Sequence, residues 1–165
     1  MDPMNWEAVY RNHSPGVYQY LRSLAPHGRE AEDLLQETFI RAMRSAAGLR
    51  QPEKIRSWLL TIARNLFLDA CQSRSRQPAA PLEAAQAERA GDDPEAALLR
   101  ADFARALEIV LGRLPEAHRT AFTLGIVQKL SYQEIAEITG WTLSAVKINI
   151  FRARRSVAAA LRDHL

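Results

Sequence analysis

The sequence is short of most features that mark an exported, membrane-bound or catalytic chain. Cys71 is the only cysteine among 165 residues. Neither an internal disulfide nor a cysteine-based zinc site can form, which fits a reducing, cytoplasmic setting and assigns Cys71 to packing rather than redox chemistry. No stretch approaches the ~20 apolar residues that span a bilayer. The first residues, MDPMNWEAVY, lack the basic segment and apolar run that signal export. No glycine-rich phosphate loop occurs, and His13, His27, His118 and His164 are spread without metal-ligand spacing. No nucleophile has a base in view. Neither a metal, a cofactor nor enzymatic activity is therefore expected, and each histidine reads as a surface or capping residue. Runs of β-branched residues alternating with polar ones are also missing, which argues against strands.

What is present is a helical composition, with 47% hydrophobic and 25% charged residues. That balance suits a globular chain and not a disordered one. The net charge of +3 hides a patterned distribution. Residues 1–76 hold 11 Lys/Arg against 8 Asp/Glu, residues 77–100 hold 2 against 5, and residues 101–165 hold 9 against 6. Within 141–165 the balance is 5 against 1. Two basic segments around an acidic connector suit polyanion binding at both ends.

The connector, SRSRQPAAPLEAAQAERAGDDPEAA, contains Pro78, Pro81, Gly91 and Pro94 and few large apolar residues, with a short helical piece expected around 82–90. The predicted architecture is all-α: a helical domain over 1–76, an acidic Pro/Ala-rich linker over 77–97 and a second helical domain over 98–165. Modules this small depend partly on partners for rigidity.

In the first module, residues 4–24 predict one or two helices, interrupted near Ser14-Pro15-Gly16. The segment REAEDLLQETFIRAMRSA places Ala31, Leu35, Phe39, Ala42 and Met43 on one face and Asp33, Gln36, Glu37 and Ile40 on the other. A third helix, IRSWLLTIARNLFLDACQ, turns Trp58 or Leu59, Ile62, Leu66 and Ala70 inward and leaves Arg56, Arg64, Asn65 and Asp69 available.

The second module begins near Ala97, with Leu99, Phe103, Leu107 and Val110 or Leu111 as the stripe of a helix over 98–113. Pro115 suits the first turn of the next helix, over 116–128, where Ala121, Leu124 and Val127 share a face. Ser131 and Glu134 form an S-x-x-E capping box that opens YQEIAEIT, and Ala136 is small where a second helix crosses. Gly140 supplies a turn tolerant of positive φ, and Thr142 caps the last helix.

There Val146, Ile150, Ala153, Val157 and Leu161 make a continuous apolar stripe. At about 100° per residue, Ile148 and Arg155 lie opposite it, flanked by Ser144, Phe151 and Arg152. Thr142, Ser144 and Lys147 occupy the first turns, where a recognition helix meets base edges and phosphates. The pattern reads as a DNA-binding helix-turn-helix.

Taken together, AEDLLQETFIRAMR with SWLLTIARNLFLDACQSRSR, and LPEAHRTAFTLGIVQKLSYQEIAEITGWTLSAVKINIFRARRSV, resemble regions 2 and 4 of an extracytoplasmic-function (ECF, group IV) sigma factor of the sigma-70 family. The resemblance implies a non-enzymatic, cytoplasmic subunit that binds bacterial core RNA polymerase and directs promoter-specific initiation. Asp33, Gln36 and Glu37 would dock on the β′ coiled coil, and the β flap is a further implied contact on core polymerase. The loop from about Ala46 to Lys54 and the helix after it would bind the −10 element, with Lys54, Arg56, Arg64, Asn65, Arg74 and Arg76 as support for an unstacked strand. Thr142, Ser144, Lys147, Ile148, Phe151, Arg152 and Arg155 would face the −35 element. The acidic linker would thread near the polymerase active site. An anti-sigma factor is a further implied partner.

The family pattern usually continues polar or basic after Val-Lys, whereas Lys147 is followed here by Ile148, Asn149, Ile150 and Phe151. Ile148 and Phe151, apolar on the groove-facing side, suit thymine methyls, or a cover supplied by an inhibitor or by the other module. An alternative is a helix-turn-helix regulator that acts without polymerase. Such proteins normally add a dimerisation or sensing module to reach two half-sites.

Overall fold

The computed structural model describes residues 3–25, 27–75 and 93–164. All regular structure within them is helical. Arg76, most of the expected connector and its short helical piece lie outside the described residues.

Helix α1, Trp6–Leu24, starts where Asn5 accepts the Ala8 amide at 3.1 Å. It runs unbroken through Pro15, contrary to the interruption expected at Ser14-Pro15-Gly16. Proline forfeits a single backbone bond there, and burial of Val17, Tyr20, Leu21 and Leu24 in the following turns outweighs that loss. Helix α2, Gly28–Arg44, buries Ala31, Phe39 and Ala42, as its periodicity predicts. Met43, expected inward, is exposed instead, because at about 100° per residue it falls at the edge of the stripe. Two short 3₁₀ turns, Ala46–Gly48 and Pro52–Lys54, lead into helix α3, Ile55–Arg74. Leu59 rather than Trp58 is the fully buried member of its pair, while Trp58 packs at the margin of the core.

Helix α4, Pro94–Gly112, begins ahead of the expected start near Ala97, with Asp93 capping the Glu95 amide. Its expected stripe holds only at the C-terminal end. Val110 and Leu111 are buried against Val157, but Leu99 and Phe103 are exposed because the first half of α4 extends past its neighbours.

Helix α5, Glu116–Ala121, passes into a π-helical turn over Phe122–Val127, closed by the Gln128 amide bonding to Thr123 O at 2.9 Å. One extra residue in a turn rotates the residues beyond it by about 100°. Val127, expected on the inward face with Leu124, is therefore 39% exposed. Gly125 sits where α5 meets helix α7, Leu143–His164, and a Cβ there would stand 2.9 Å from Ile150 Cδ1.

Helix α6, Tyr132–Thr139, opens with both halves of the Ser131–Glu134 capping box and ends at Gly140 with φ 76°. A side chain at that φ would be strained, so glycine fits. Along α7, Val146, Ile150, Ala153 and Val157 are buried.

The two modules are packed together. One apolar cluster joins Val17, Tyr20, Leu21, Leu59, Leu60 and Ala63 to Ala121, Leu124, Ile135 and Val146. Each fully buried leucine or valine stabilises by about 1.5–3 kcal/mol. Neither small module alone encloses as much.

Candidate nucleic-acid interface

The outward face of α7 follows directly from its core stripe. Thr142 accepts the Ala145 amide at 3.1 Å, and so serves as the cap. Ser144, Lys147, Arg152 and Arg155 are exposed beyond it. Ile148 and Phe151 are 48% and 60% exposed. They line one open groove with His118, Lys147, Arg152, Arg155 and Ser156. The Arg155 guanidinium lies 5.7 Å from the Phe151 ring, within cation–π range. The first module does not cover this pair, which removes one of the two covers expected for it. His118, read as a surface or capping residue, is half-buried in the groove wall.

The α2 face is equally open. Asp33 and Gln36 are exposed, and Glu37 pairs with Arg41 at 3.3 Å one turn on. An acidic-polar strip held on a rigid helix suits charge-assisted bonds to a basic partner.

The third expected face behaves differently. Arg64, expected to be available, is 8% exposed and lies against the second module. Its guanidinium pairs with Glu116 at 3.0 Å and stacks 5.5 Å from the Trp141 ring. Thr120 donates to Glu116 at 2.8 Å and shares a buried 2.9 Å hydrogen bond with the Tyr20 hydroxyl. Burial pushes the Tyr20 phenol well above its ordinary pKa, so it stays neutral.

Around this centre, Arg119 donates to Leu24 O at 2.9 Å. Gln128 donates to Gly16 O at 2.7 Å and accepts from Arg56 at 3.3 Å. Lys54 pairs with Glu137 at 3.4 Å. Arg74 pairs within the first module, with Glu30, and Asn65 remains exposed. Amphipathic periodicity ranks residues by the face of their own helix. It carries no information on a partner about 100 positions away, so it gives no sign of the roles of Tyr20, Glu116, Thr120, Gln128 and Trp141.

Cys71, expected to pack inside, is exposed. Partial burial nonetheless pushes its thiol above the ordinary value.

A family model described as Sigma-70 region 2 matches residues 9–77, and one described as Sigma-70, region 4 matches residues 104–157. The RNA polymerase sigma factor YlaC of Bacillus subtilis is 33% identical over 150 residues, spanning 90% of this chain and 87% of that protein. The ECF RNA polymerase sigma factor SigW of the same organism is 30% identical, spanning 89% of this chain and 83% of that protein. The chain belongs to the ECF sigma factors of RNA polymerase.

As a sigma factor it directs promoter-specific transcription initiation. The ECF sigma factor SigE of Mycolicibacterium smegmatis is 34% identical over 98% of this chain, though over 62% of that longer protein. Among solved structures, the Bartonella quintana sigma factor RpoE, crystallised with the anti-sigma factor NepR, shares the fold with a TM-score of 0.76 at 24% identity, covering 96% of this chain and 97% of that one. In this sigma factor α1–α3 thus fall in region 2 and α5–α7 in region 4. Among the described residues, no helix is long and apolar enough to cross a membrane.

Proposed function

We propose that this sigma factor divides promoter recognition between its regions, with limits near 1–76 and 98–165. Region 4 reads the −35 element through Thr142, Ser144, Lys147, Ile148, Phe151, Arg152 and Arg155. Region 2 supports the opened −10 strand through Lys54, Arg56, Arg64, Asn65, Arg74 and Arg76. Asp33, Gln36 and Glu37 dock on the β′ coiled coil of core polymerase, and region 4 engages the β flap. The chain acts in the cytoplasm as a non-enzymatic subunit, and an anti-sigma factor restrains it.

The observation that carries this reading is the exposed basic-apolar face of α7, set back to back with its buried stripe behind a capped helix-turn-helix. The Ile148–Phe151 groove, open to solvent, is an apolar surface suited to thymine methyls or to an inhibitor.

Transcript 5′-end mapping with reconstituted holoenzyme tests the reading. Discrete start sites preceded by a shared −35/−10 pair are expected. Starts indistinguishable from core enzyme alone would defeat it, and specific binding to a palindrome without polymerase would favour a conventional regulator. Reversing charge at Asp33 and Glu37 should weaken core binding at least about tenfold, roughly 1.4 kcal/mol, while −35 duplex binding persists.

A further inference from the structure

Lys129 stands at the entrance of the helix-turn-helix in a conformation that suits a different residue. Helix α5 and its π turn end at Gln128, and the chain then reverses so that Leu130 is buried. Two bonds fix the reversal, the Gln128 amide on Thr123 O and the Leu130 amide on Leu124 O, both at 2.9 Å. Residue 129 enters the left-handed region to make it, at φ 56°. Glycine is the usual residue at such a helix end, because any Cβ is crowded there. At the end of α6 the chain does use glycine, Gly140 at φ 76°. Among the described residues, Lys129 is the only residue other than glycine with a positive φ.

Nothing within the chain compensates that strain. Lys129 is exposed, and among the described residues its side chain makes no hydrogen bond or ion pair. Asparagine, aspartate and histidine tolerate the left-handed region best among residues with a Cβ, and lysine is not one of them. Strained backbone of this kind concentrates where a side chain is needed for function.

We propose that Lys129 is a backbone-phosphate contact of the −35 element, and that the strain at its φ is retained for that contact. The proposal rests on the reading of α7 as the −35 reader. In a helix-turn-helix the second helix lies in the major groove while the first crosses the sugar-phosphate backbone. Here α6 is the first helix, and Lys129 stands two residues ahead of the Ser131 cap that opens it. Lys129, Ser131 and Tyr132 are all exposed, so this entrance is open. The acidic groups of α6 are engaged elsewhere: Glu134 accepts the Ser131 amide at 2.8 Å, and Glu137 pairs with Lys54. Lysine is a point charge on a flexible stem, which suits a phosphate approached from outside the groove. Such contacts seat a protein on the duplex without reading its sequence. Lys129 therefore governs how firmly α7 is held, and not which base it prefers.

Substitutions at this position separate charge from strain. Lys129→Gly removes both, Lys129→Gln removes only the charge, and Lys129→Arg removes neither. Each full-length variant is assembled with core polymerase and titrated, at several salt concentrations, onto fluorescent duplexes. These carry the −35 element of a mapped promoter, unaltered or substituted base by base. Lys129→Gly should raise the melting temperature of the free chain by about 2–4 °C, and Lys129→Gln should not. Both should weaken binding about threefold or more at moderate salt, and lower the slope of log affinity against log salt by about one. The loss should be the same across the substituted duplexes. Lys129→Arg should leave affinity and slope unchanged.

A higher melting temperature with unaltered DNA affinity in Lys129→Gly overturns the proposal. So does a lower melting temperature with unaltered affinity in Lys129→Gln, the signature of a lysine kept only to balance the helix C-terminus. A loss confined to some bases would overturn the phosphate assignment. Arg152→Ala keeps the two readings apart: if it too leaves the titration unchanged, the −35 reading itself has failed.

Discussion

Helices α3 and α7 carry similar sequence credentials and have opposite surroundings. Each has an apolar stripe on one face and arginines on the other; α7 reads as a DNA contact from that pattern, and α3 from the family resemblance. In α7 the cationic face is open, and Arg152 and Arg155 meet solvent. In α3 the cationic face is the seam with region 4, and Arg64 is nearly as buried as the leucines behind it. An arginine that holds a carboxylate and an arginine that awaits a phosphate look alike in one dimension. Only the partner separates them.

The largest test of that contrast is Tyr20→Ala. Tyr20 is fully buried on the α1 side of the seam, and its hydroxyl meets Thr120. Removing a large buried aromatic costs about 3–5 kcal/mol, so chemical denaturation should show a loss of that order. A loss under about 1 kcal/mol would mean that the seam contributes little to the fold.

Next comes the direct pairing of the two helices. Arg64→Ala leaves Glu116 without its cation in a site where the arginine side chain is 10% exposed and the glutamate 24%. The expected loss is about 2 kcal/mol, below the about 3–5 kcal/mol of a fully enclosed pair. Arg152→Ala should stay within about 0.5 kcal/mol in the same melts while weakening −35 duplex binding. Equal stability effects would erase the distinction between the helices.

A smaller effect is expected at Ile148. Replacing it with alanine should leave the melt unchanged and shift base preference at one −35 position by a few-fold, read by competition among substituted duplexes. An apolar contact to a thymine methyl is a modest discriminator. Phe151→Ala, which also removes the platform under Arg155, should instead act mainly on restraint or docking.

The smallest effect concerns pH. Burial, and then the nearby Arg56 charge, lower the pKa of His13 from its ordinary 6.5. The folded chain therefore resists protonating it. Stability is complete above about pH 6.5 and declines as pH falls from there toward the lowered value. His13→Gln should flatten that part of a melting-temperature profile.

Much of region 4 is legible in the sequence because its signals are local. The capping box at Ser131 and Glu134, the positive φ of Gly140 and the stripe from Val146 to Val157 each act within a turn or two. Two features hide in plain composition. Nothing in FTLGIV announces a π turn, so regular periodicity puts Val127 one position out of phase. Leu99 and Phe103 keep helical spacing, but periodicity does not reveal where a neighbour ends, and both emerge into solvent. The seam is the least legible part. Thr120 and Tyr20 are unremarkable polar positions until the fold brings them to 2.9 Å.

Gly125 leaves room for the Ile150 side chain, which a single added carbon would meet at 2.9 Å. That missing methyl acts as a depth gauge. It fixes how far α7 sinks into its cradle, and with it the height at which Ile148 and Phe151 stand on the opposite side. Bulk added at residue 125 would raise the whole reading face like a shim under a rail. On the proposed −35 reading, promoter preference would be set partly at a residue on the opposite side of α7 from the face that reads DNA.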